Sequence, residues 1–356
     1  NEIQNYLTSK TVIIIGSGKY ANGICNLLQP IMDDLNLNID NIVYKKEEGE
    51  PTLNHINSLV SSIQYDPDTI IGIGGGSVLD TIKLLFTKLT NPSEDIQNWL
   101  KPFSLPTSKK KIRLISIPTT HGTGAEVSSS AVYSEKNEGK TVLLSHQFIS
   151  DVVIHDPRLL KNIPTRIAID SVLDAFTHSI EGYLSRIKND KIYPLVVKSS
   201  LIIKECLKEK EYFSSVEAQS KLLYASYLAG IVQNHCSVGL CHSLSHQLSR
   251  YGLGHGRLNG IFLPKVLAYN YSKDNAPLDK LAADIGFNDG GEIVLWLNKI
   301  NQNFEVGDLS ENLELSKISD FLPLCKDIKS DITYTSTPHK ISDSELIDLI
   351  NSVIKV

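Results

Sequence analysis

Two short segments of this 356-residue chain hold four of its ten histidines, and the spacing within them is that of a helix face. Asp174 and His178 stand four apart in SVLDAFTHSIEGY. His242 and His246 stand four apart in GLCHSLSHQLSRYGLGHGRLNGIFLP, and His255 follows them. On a helix, residues four apart lie one above the other, so each pair points to one side. One carboxylate with three neutral imidazoles is a ligand set that suits a divalent transition metal such as Fe(II) or Zn(II). An isolated Asp–His pair at this spacing is more often a satisfied polar contact on a helix surface, so the metal reading depends on what accompanies it.

The elements around these residues divide the chain. Thr11–Gly16 (TVIIIG), Asn41–Tyr44 (NIVY), Thr69–Ile73 (TIIGI) and Ile112–Ser116 (IRLIS) are short β-branched runs, the pattern of buried parallel strands. Apolar-periodic stretches near Ile24–Leu35 and Asn54–Gln64 lie between them and predict helices. Strands alternating with helices predict a parallel, Rossmann-like sheet. Beyond Asp156 the β-branched runs give way to long helical patterns, and DPRLLKNIP supplies a break. The fold expected is an α/β dinucleotide-binding domain over residues 1–158, followed by an all-α metal-binding and catalytic domain over 159–356.

Composition removes several function classes. A net charge of −5 gives no reason to expect nucleic-acid or anionic-membrane binding. No apolar run reaches the length of a membrane span, and NEIQNYLTSK lacks the basic-then-apolar order of a signal peptide. The chain does not open on Met, so a preceding segment is expected. Five cysteines, an odd number in a long chain, read as free thiols in a reducing cytoplasm.

Two glycine-containing loops follow predicted strands. GGGSVLD (Gly74–Asp80) runs from the third strand into a helix. Gly74, Gly75 and Gly76 let the backbone approach a bulky anion, and free N–H groups at the helix start favour phosphate. PTTHGTGAEVS (Pro118–Ser128) follows the next strand and adds hydroxyls. Two such loops at successive carboxyl ends of parallel strands mark a cofactor crevice.

In this order GGGSVLDTIK, IPTTHGTGAEVS, DPRLL, DAFTHSIEGYLS, AGIVQNHCSVGLCHSLSHQL and HGRLNGIFLPKVLAYN resemble the iron-containing (group III) alcohol dehydrogenases, over about Thr11 to Asn270. The resemblance implies that Asp174, His178, His242 and His255 hold the metal, Fe(II) or Zn(II), and that His246 lies near it without being a ligand. It implies that Gly74–Ser77 (Gly74, Gly75, Gly76, Ser77) take the cofactor pyrophosphate with Asp80 close by, and that Thr119, Thr120 and Thr123 line the crevice. It also implies a homo-oligomer, often a dimer, that interconverts small alcohols and aldehydes with NAD(H) or NADP(H). His246, one helical turn from His242, is the candidate proton relay. Glu181, three past His178, is read as a group behind the ligands or on the helix surface.

The chain departs from the family pattern in places. The interval from His246 to His255 is one residue short, His121 stands where alanine is usual, and Ala125 where serine is usual. Gln233, His121, Phe176 and Tyr251 are candidates to line the substrate pocket. The turn after the first strand, Gly16-Ser17-Gly18-Lys19, has no acid to hold a ribose diol and offers a hydroxyl and a cation to a 2′-phosphate, so NADP(H) is expected over NAD(H). Two other chemistries use the same fold. A glycerol-dehydrogenase-type polyol oxidoreductase lacks the ligand that His178 supplies. A dehydroquinate-synthase-like lyase wants a basic pocket and a glutamate ligand, whereas DAFTH offers aspartate and little positive charge.

Overall fold

Isoleucine-rich runs become the floor of the first half of the chain. The computed structural model describes residues 2–16, 23–26, 29–30, 33, 42–47, 49–108, 111–134, 140–309, 312, 315, 318 and 320–354. Five strands, β1 (Thr11–Gly16), β2 (Ile42–Lys45), β3 (Thr69–Gly74), β4 (Arg113–Pro118) and β7 (Val152–Val153), form one parallel sheet in the order β2-β1-β3-β4-β7. In register, Ile13 faces Ile42 on one side and Ile71 on the other, and Ile71 faces Ile115. Ile13, Ile14, Ile15, Ile70, Ile71 and Ile115 are all fully buried. A parallel sheet covered on both faces demands such unbroken apolar runs.

Two helices, α1 (Leu53–Ser62) and α2 (Gly76–Thr90), accompany the sheet, and a separate antiparallel hairpin joins β5 (Ser130–Ser134) to β6 (Lys140–Leu144). The hairpin and β7 carry too few β-branched residues in a row to be anticipated. The four predicted strands are found within one or two residues of their expected bounds. The helix expected over Ile24–Leu35 falls largely outside the described residues.

The second half is helical: α3 (Thr165–Leu184), α4 (Tyr193–Cys206), α5 (Lys210–Phe213), α6 (Val216–Cys236), α7 (Leu240–Leu248), α8 (His255–Lys273), α9 (Ala276–Asp284), α10 (Gly290–Asn303), α11 (Leu322–Ser330) and α12 (Asp343–Ile354). Helix α3 is its axis. From Val172 to Leu184 every residue is buried, as befits a helix enclosed on all sides, and α4, α6 and α8 pack on it. The chain divides into two compact units, residues 1–120 with 124–162, and residues 121–123 with 163–356. Among the described residues no helix is long and apolar enough to cross a membrane.

The approach of α8 to α3 is set by glycine. A Cβ on Gly256 would lie 2.3 Å from the Asp170 carbonyl oxygen, and one on Gly260 would lie 2.6 Å from Leu173 Cδ1. Only glycine at these two positions lets the helices touch backbone to side chain. Pro264, inside α8, has no N–H to offer the carbonyl of Gly260 one turn earlier. Asn301 of α10 fills the gap, its Nδ2 donating to the Gly260 oxygen at 2.8 Å. Removing a donor from a buried acceptor costs about 1–3 kcal/mol. Asn301→Ala is therefore expected to lower the thermal unfolding midpoint by a few degrees, and an unchanged midpoint would show that the carbonyl is satisfied in another way.

Candidate active site

In the helical unit, Asp174 and His178 lie on the buried stretch of α3, His242 and His246 on α7, and His255 at the first position of α8. The Asp174 Oδ1 atom is the centre of the group. It stands 3.7 Å from His178 Nε2, 3.6 Å from His242 Nε2 and 3.6 Å from His255 Nε2. Asp174, His242 and His255 bring one donor atom each within 4.8 Å of one another. His178 joins from the side, stacked on His242 with ring centroids 4.7 Å apart. These separations exceed hydrogen-bond length, yet the donor atoms all face one point. Carboxylate oxygen and imidazole nitrogens converging in this way fit a divalent cation of intermediate softness.

Glu181, one turn below His178, explains how His242 is held. It is buried, and it receives the backbone N–H groups of Gly239 (3.0 Å), Cys241 (2.7 Å) and His242 (3.3 Å). It thus caps the N-terminus of α7 from another helix. The same carboxylate accepts from His242 Nδ1–H at 2.7 Å. With Nδ1 donating to Glu181, the Nε2 atom of His242 turns toward Asp174. Carboxylate–histidine pairs fix metal-binding imidazoles in this way.

The electrostatics follow from burial and these neighbours. Burial would raise the Asp174 carboxyl, but the imidazoles of His178, His242 and His255 around it hold it well below the usual carboxylate range. Burial pushes His178 down to about 4, so it is neutral. Burial also opposes charge on His242, yet the Asp174 carboxylate 3.6 Å away and the hydrogen-bonded Glu181 push it up to about 9. A metal ion on Nε2 would take the place of that proton.

His246 has a different partner. Its Nδ1–H donates to Asp331 Oδ2 at 3.1 Å, and its ring stacks on His255 with centroids 5.2 Å apart. Burial works against the Asp331 charge, but the His246 hydrogen bond and Thr333 hold its carboxyl at about 2. Asp331 has no periodic partner in the sequence, whereas Asn259 stands four past His255, a spacing that could have marked it as sharing that helix face. Asn259 is buried, and its Nδ2 donates to Asp174 Oδ1 at 2.7 Å.

In the sheet unit, the ends of β1, β3 and β4 bring the glycine loops together. Gly74 closes β3, Gly75 is the N-cap of α2, and Gly76 and Ser77 begin that helix with no side chain capping it. Thr119 N–H donates to the Gly74 carbonyl at 3.0 Å. A Cβ on Gly75 would lie 3.2 Å from Thr120 Cγ2, and one on Gly16 would lie 3.7 Å from Val78. Gly16, Gly74–Ser77, Thr119 and Thr120 thus form a narrow cradle whose uncapped helix start suits an anion. Ser17, Gly18 and Lys19 lie outside the described residues. Asp80 turns inward, only 7% exposed, with its carboxylate 3.6 Å from the ammonium of the fully buried Lys83. Burial raises Asp80 to about 7 against that cation. Lys83 spans to the hairpin, donating to Ser128 Oγ (3.2 Å) and the Ser130 carbonyl (2.7 Å).

Thr123 belongs to the helical unit, where its carbonyl accepts from Gln233 Nε2 at 2.6 Å. Of the residues expected to line a substrate pocket, His121 and Phe176 do not, because both are fully buried. His121 Nε2 bonds Gln219 Oε1 at 2.8 Å, and Phe176 packs edge-on against Trp296. Gln233 is committed to Thr123.

The profile of iron-containing alcohol dehydrogenases matches residues 1–157, and that of the C-terminal part of the Fe-containing family matches residues 168–308. An alcohol dehydrogenase of Thermococcus barophilus is 30% identical over 312 residues, covering 85% of this chain and 81% of its own length. The chain belongs to the iron-containing alcohol dehydrogenase family. An NADPH-dependent butanol dehydrogenase of Clostridium saccharobutylicum is 27% identical, covering 80% of this chain and 74% of its own. The solved iron-containing alcohol dehydrogenase of Thermococcus thioreducens shares the fold with a TM-score of 0.88 at 24% identity, over 99% of this chain and 95% of that one.

His121, next to Gly122 in the loop after β4, is a fully buried titratable group. Burial pushes it from an ordinary 6.5 down to about 4, and its neighbours Gln219 and Phe213 carry no charge. Between those values the unfolded chain binds the proton and the folded chain does not. The stability due to neutral His121 is complete above pH 6.5 and is lost as pH falls toward 4. The full window is worth about 3 kcal/mol. The fall in unfolding midpoint from pH 7 to 4.5 is expected to be smaller in His121→Ala than in wild type, and equal falls would refute the assignment.

Proposed function

We propose that this chain is a metal-dependent, nicotinamide-linked oxidoreductase that interconverts a small alcohol and its aldehyde. The convergence of Asp174, His242 and His255 carries the reading, supported by family membership and the anion cradle at Gly74–Ser77. Bound, a metal ion would supply Lewis-acid polarisation of a carbonyl, and the nicotinamide would supply or accept the hydride.

The chain's own groups have distinct tasks. Asp174, His178, His242 and His255 would hold the ion, Fe(II) by family and Zn(II) by equal chemical fit. Glu181 sets the tautomer of His242. His246 would move the proton, since Asp331 engages Nδ1 and leaves Nε2 as the nitrogen that can give or take it. Asp331→Asn is expected to lower kcat by about tenfold to a hundredfold while leaving the cofactor KM near wild type, and His246→Ala by about a hundredfold. Full activity in both variants would remove His246 from the proton path.

The turn 16–19 supplies Ser17 and Lys19 and no acid, which supports NADP(H) over NAD(H). With NADPH the expected direction is aldehyde reduction. All five cysteines are unpaired thiols, which suits a reducing cytoplasm, and a homodimer is the assembly expected. The test is cofactor oxidation by protein stripped with chelator and reloaded anaerobically with Fe(II) or Zn(II). NADPH and NADH would be compared against short, polar and phosphonate-bearing aldehydes. Metal-dependent turnover that is faster with NADPH is the expected result. Tight cofactor binding without turnover on any metal would overturn the reductase reading and favour a lyase.

A further inference from the structure

Asn259 takes no part in the roles assigned above, yet it is fully buried at the centre of the donor set. It lies one turn past His255 on α8. Its Nδ2 donates to Asp174 Oδ1 at 2.7 Å and stands 3.2 Å from both His242 Nε2 and His255 Nε2. Its Oδ1 faces away, accepting from Ser245 Oγ–H at 2.6 Å, with the Cys241 thiol 3.7 Å away. The orientation is chemically determined. A flipped amide would set its oxygen 2.7 Å from the ionised Asp174 carboxylate oxygen, two acceptors with no proton between them.

We propose that Asn259 is a positioning residue of the metal centre, clamped by Ser245 so that its amide fixes the Asp174 carboxylate within the ligand set. The proposal rests on the metal reading above. A carboxylate on a helix turns about its terminal torsion with little resistance. Three imidazoles around one oxygen do not by themselves prevent it from swinging to pair with a single histidine. The Asn259 N–H does, because it donates to Oδ1 at 2.7 Å while standing 3.2 Å from the Nε2 atoms of His242 and His255, and so keeps that oxygen beside both. The amide's other end is tied to α7 through Ser245, so the chain Ser245–Asn259–Asp174 links α7, α8 and α3. Ser245 touches no proposed ligand through its hydroxyl, so any effect it has on the metal passes through Asn259.

The experiment measures Zn(II) affinity by competition with a chromophoric chelator, and records the visible absorption of the Co(II)-loaded protein. Wild type, Asn259→Ala, Ser245→Ala and the double variant are compared. Loss of a hydrogen bond that orients a metal ligand typically weakens binding by about 10- to 100-fold. That loss is expected for Asn259→Ala, together with altered Co(II) bands that report a changed ligand geometry. Ser245→Ala should weaken Zn(II) less, and the double variant should match Asn259→Ala. Unchanged Zn(II) affinity and Co(II) bands in Asn259→Ala would overturn the proposal, as would losses that simply add in the double variant. If Asn259→Ala does not fold, Ser245→Ala decides the matter by the same two readouts. A wild type that binds neither ion overturns the metal reading and this proposal with it, whereas normal wild-type binding with unresponsive variants overturns only the role of Asn259.

Discussion

A buried carboxylate surrounded by imidazoles is the constraint around which the helical unit is built. Asp174 sits on a helix that is enclosed on every side from Val172 onward. An isolated charge in such a place is costly, and it persists only when it is paired or hydrogen-bonded. Here the partners come from three helices. His178 is on the same helix, His242 comes from α7, and His255 and Asn259 come from α8. The close packing needed to deliver them explains otherwise odd features of α8. Gly256 and Gly260 remove side chains from the contact with α3, and Asn301 repairs the hydrogen bond that Pro264 breaks.

The sheet unit solves a related problem by another route. Its glycine cradle is made of backbone, from strand ends and an uncapped helix start. The charges it does bury, Asp80 and Lys83, lie one and two turns into α2 and are spent on structure. Lys83 fastens the β5–β6 hairpin to the helix that opens with the glycine loop. A neutral residue there would leave Asp80 buried without its cation, so the pair acts as a unit.

Periodicity made the framework legible. Short isoleucine-rich runs announced β1, β3 and β4, because a parallel sheet buried on both faces has few other ways to be written. The i,i+4 spacings announced that Asp174 would share a face with His178, and His242 with His246. Glycines after the third strand announced the turn from β3 into α2. The short hairpin and β7 were not legible, since their pairing is settled by tertiary contacts and not by their own pattern. His121 and Phe176 were read as pocket residues because sequence proximity to a site says nothing about which way a side chain faces. Asp331, 85 residues from His246, is joined to the site by the fold alone, whereas Asn259, 85 from Asp174, stands only four past His255 on the same helix.

That limit falls most sharply on the two histidines of α7. His242 and His246 share a helix face, and both donate Nδ1–H to a carboxylate. From spacing they are interchangeable. What separates them is the carboxylate each one meets. Glu181, on the same helix as Asp174 and held by three backbone N–H groups, turns the Nε2 of His242 toward the shared oxygen. Asp331, at the start of a short helical turn and held by Thr333, keeps His246 against the ring of His255 instead. One turn of helix thus separates an imidazole whose Nε2 faces Asp174 from one whose ring lies against His255. The division is made by the acceptors, because an imidazole's chemistry follows whichever of its nitrogens is left unbonded.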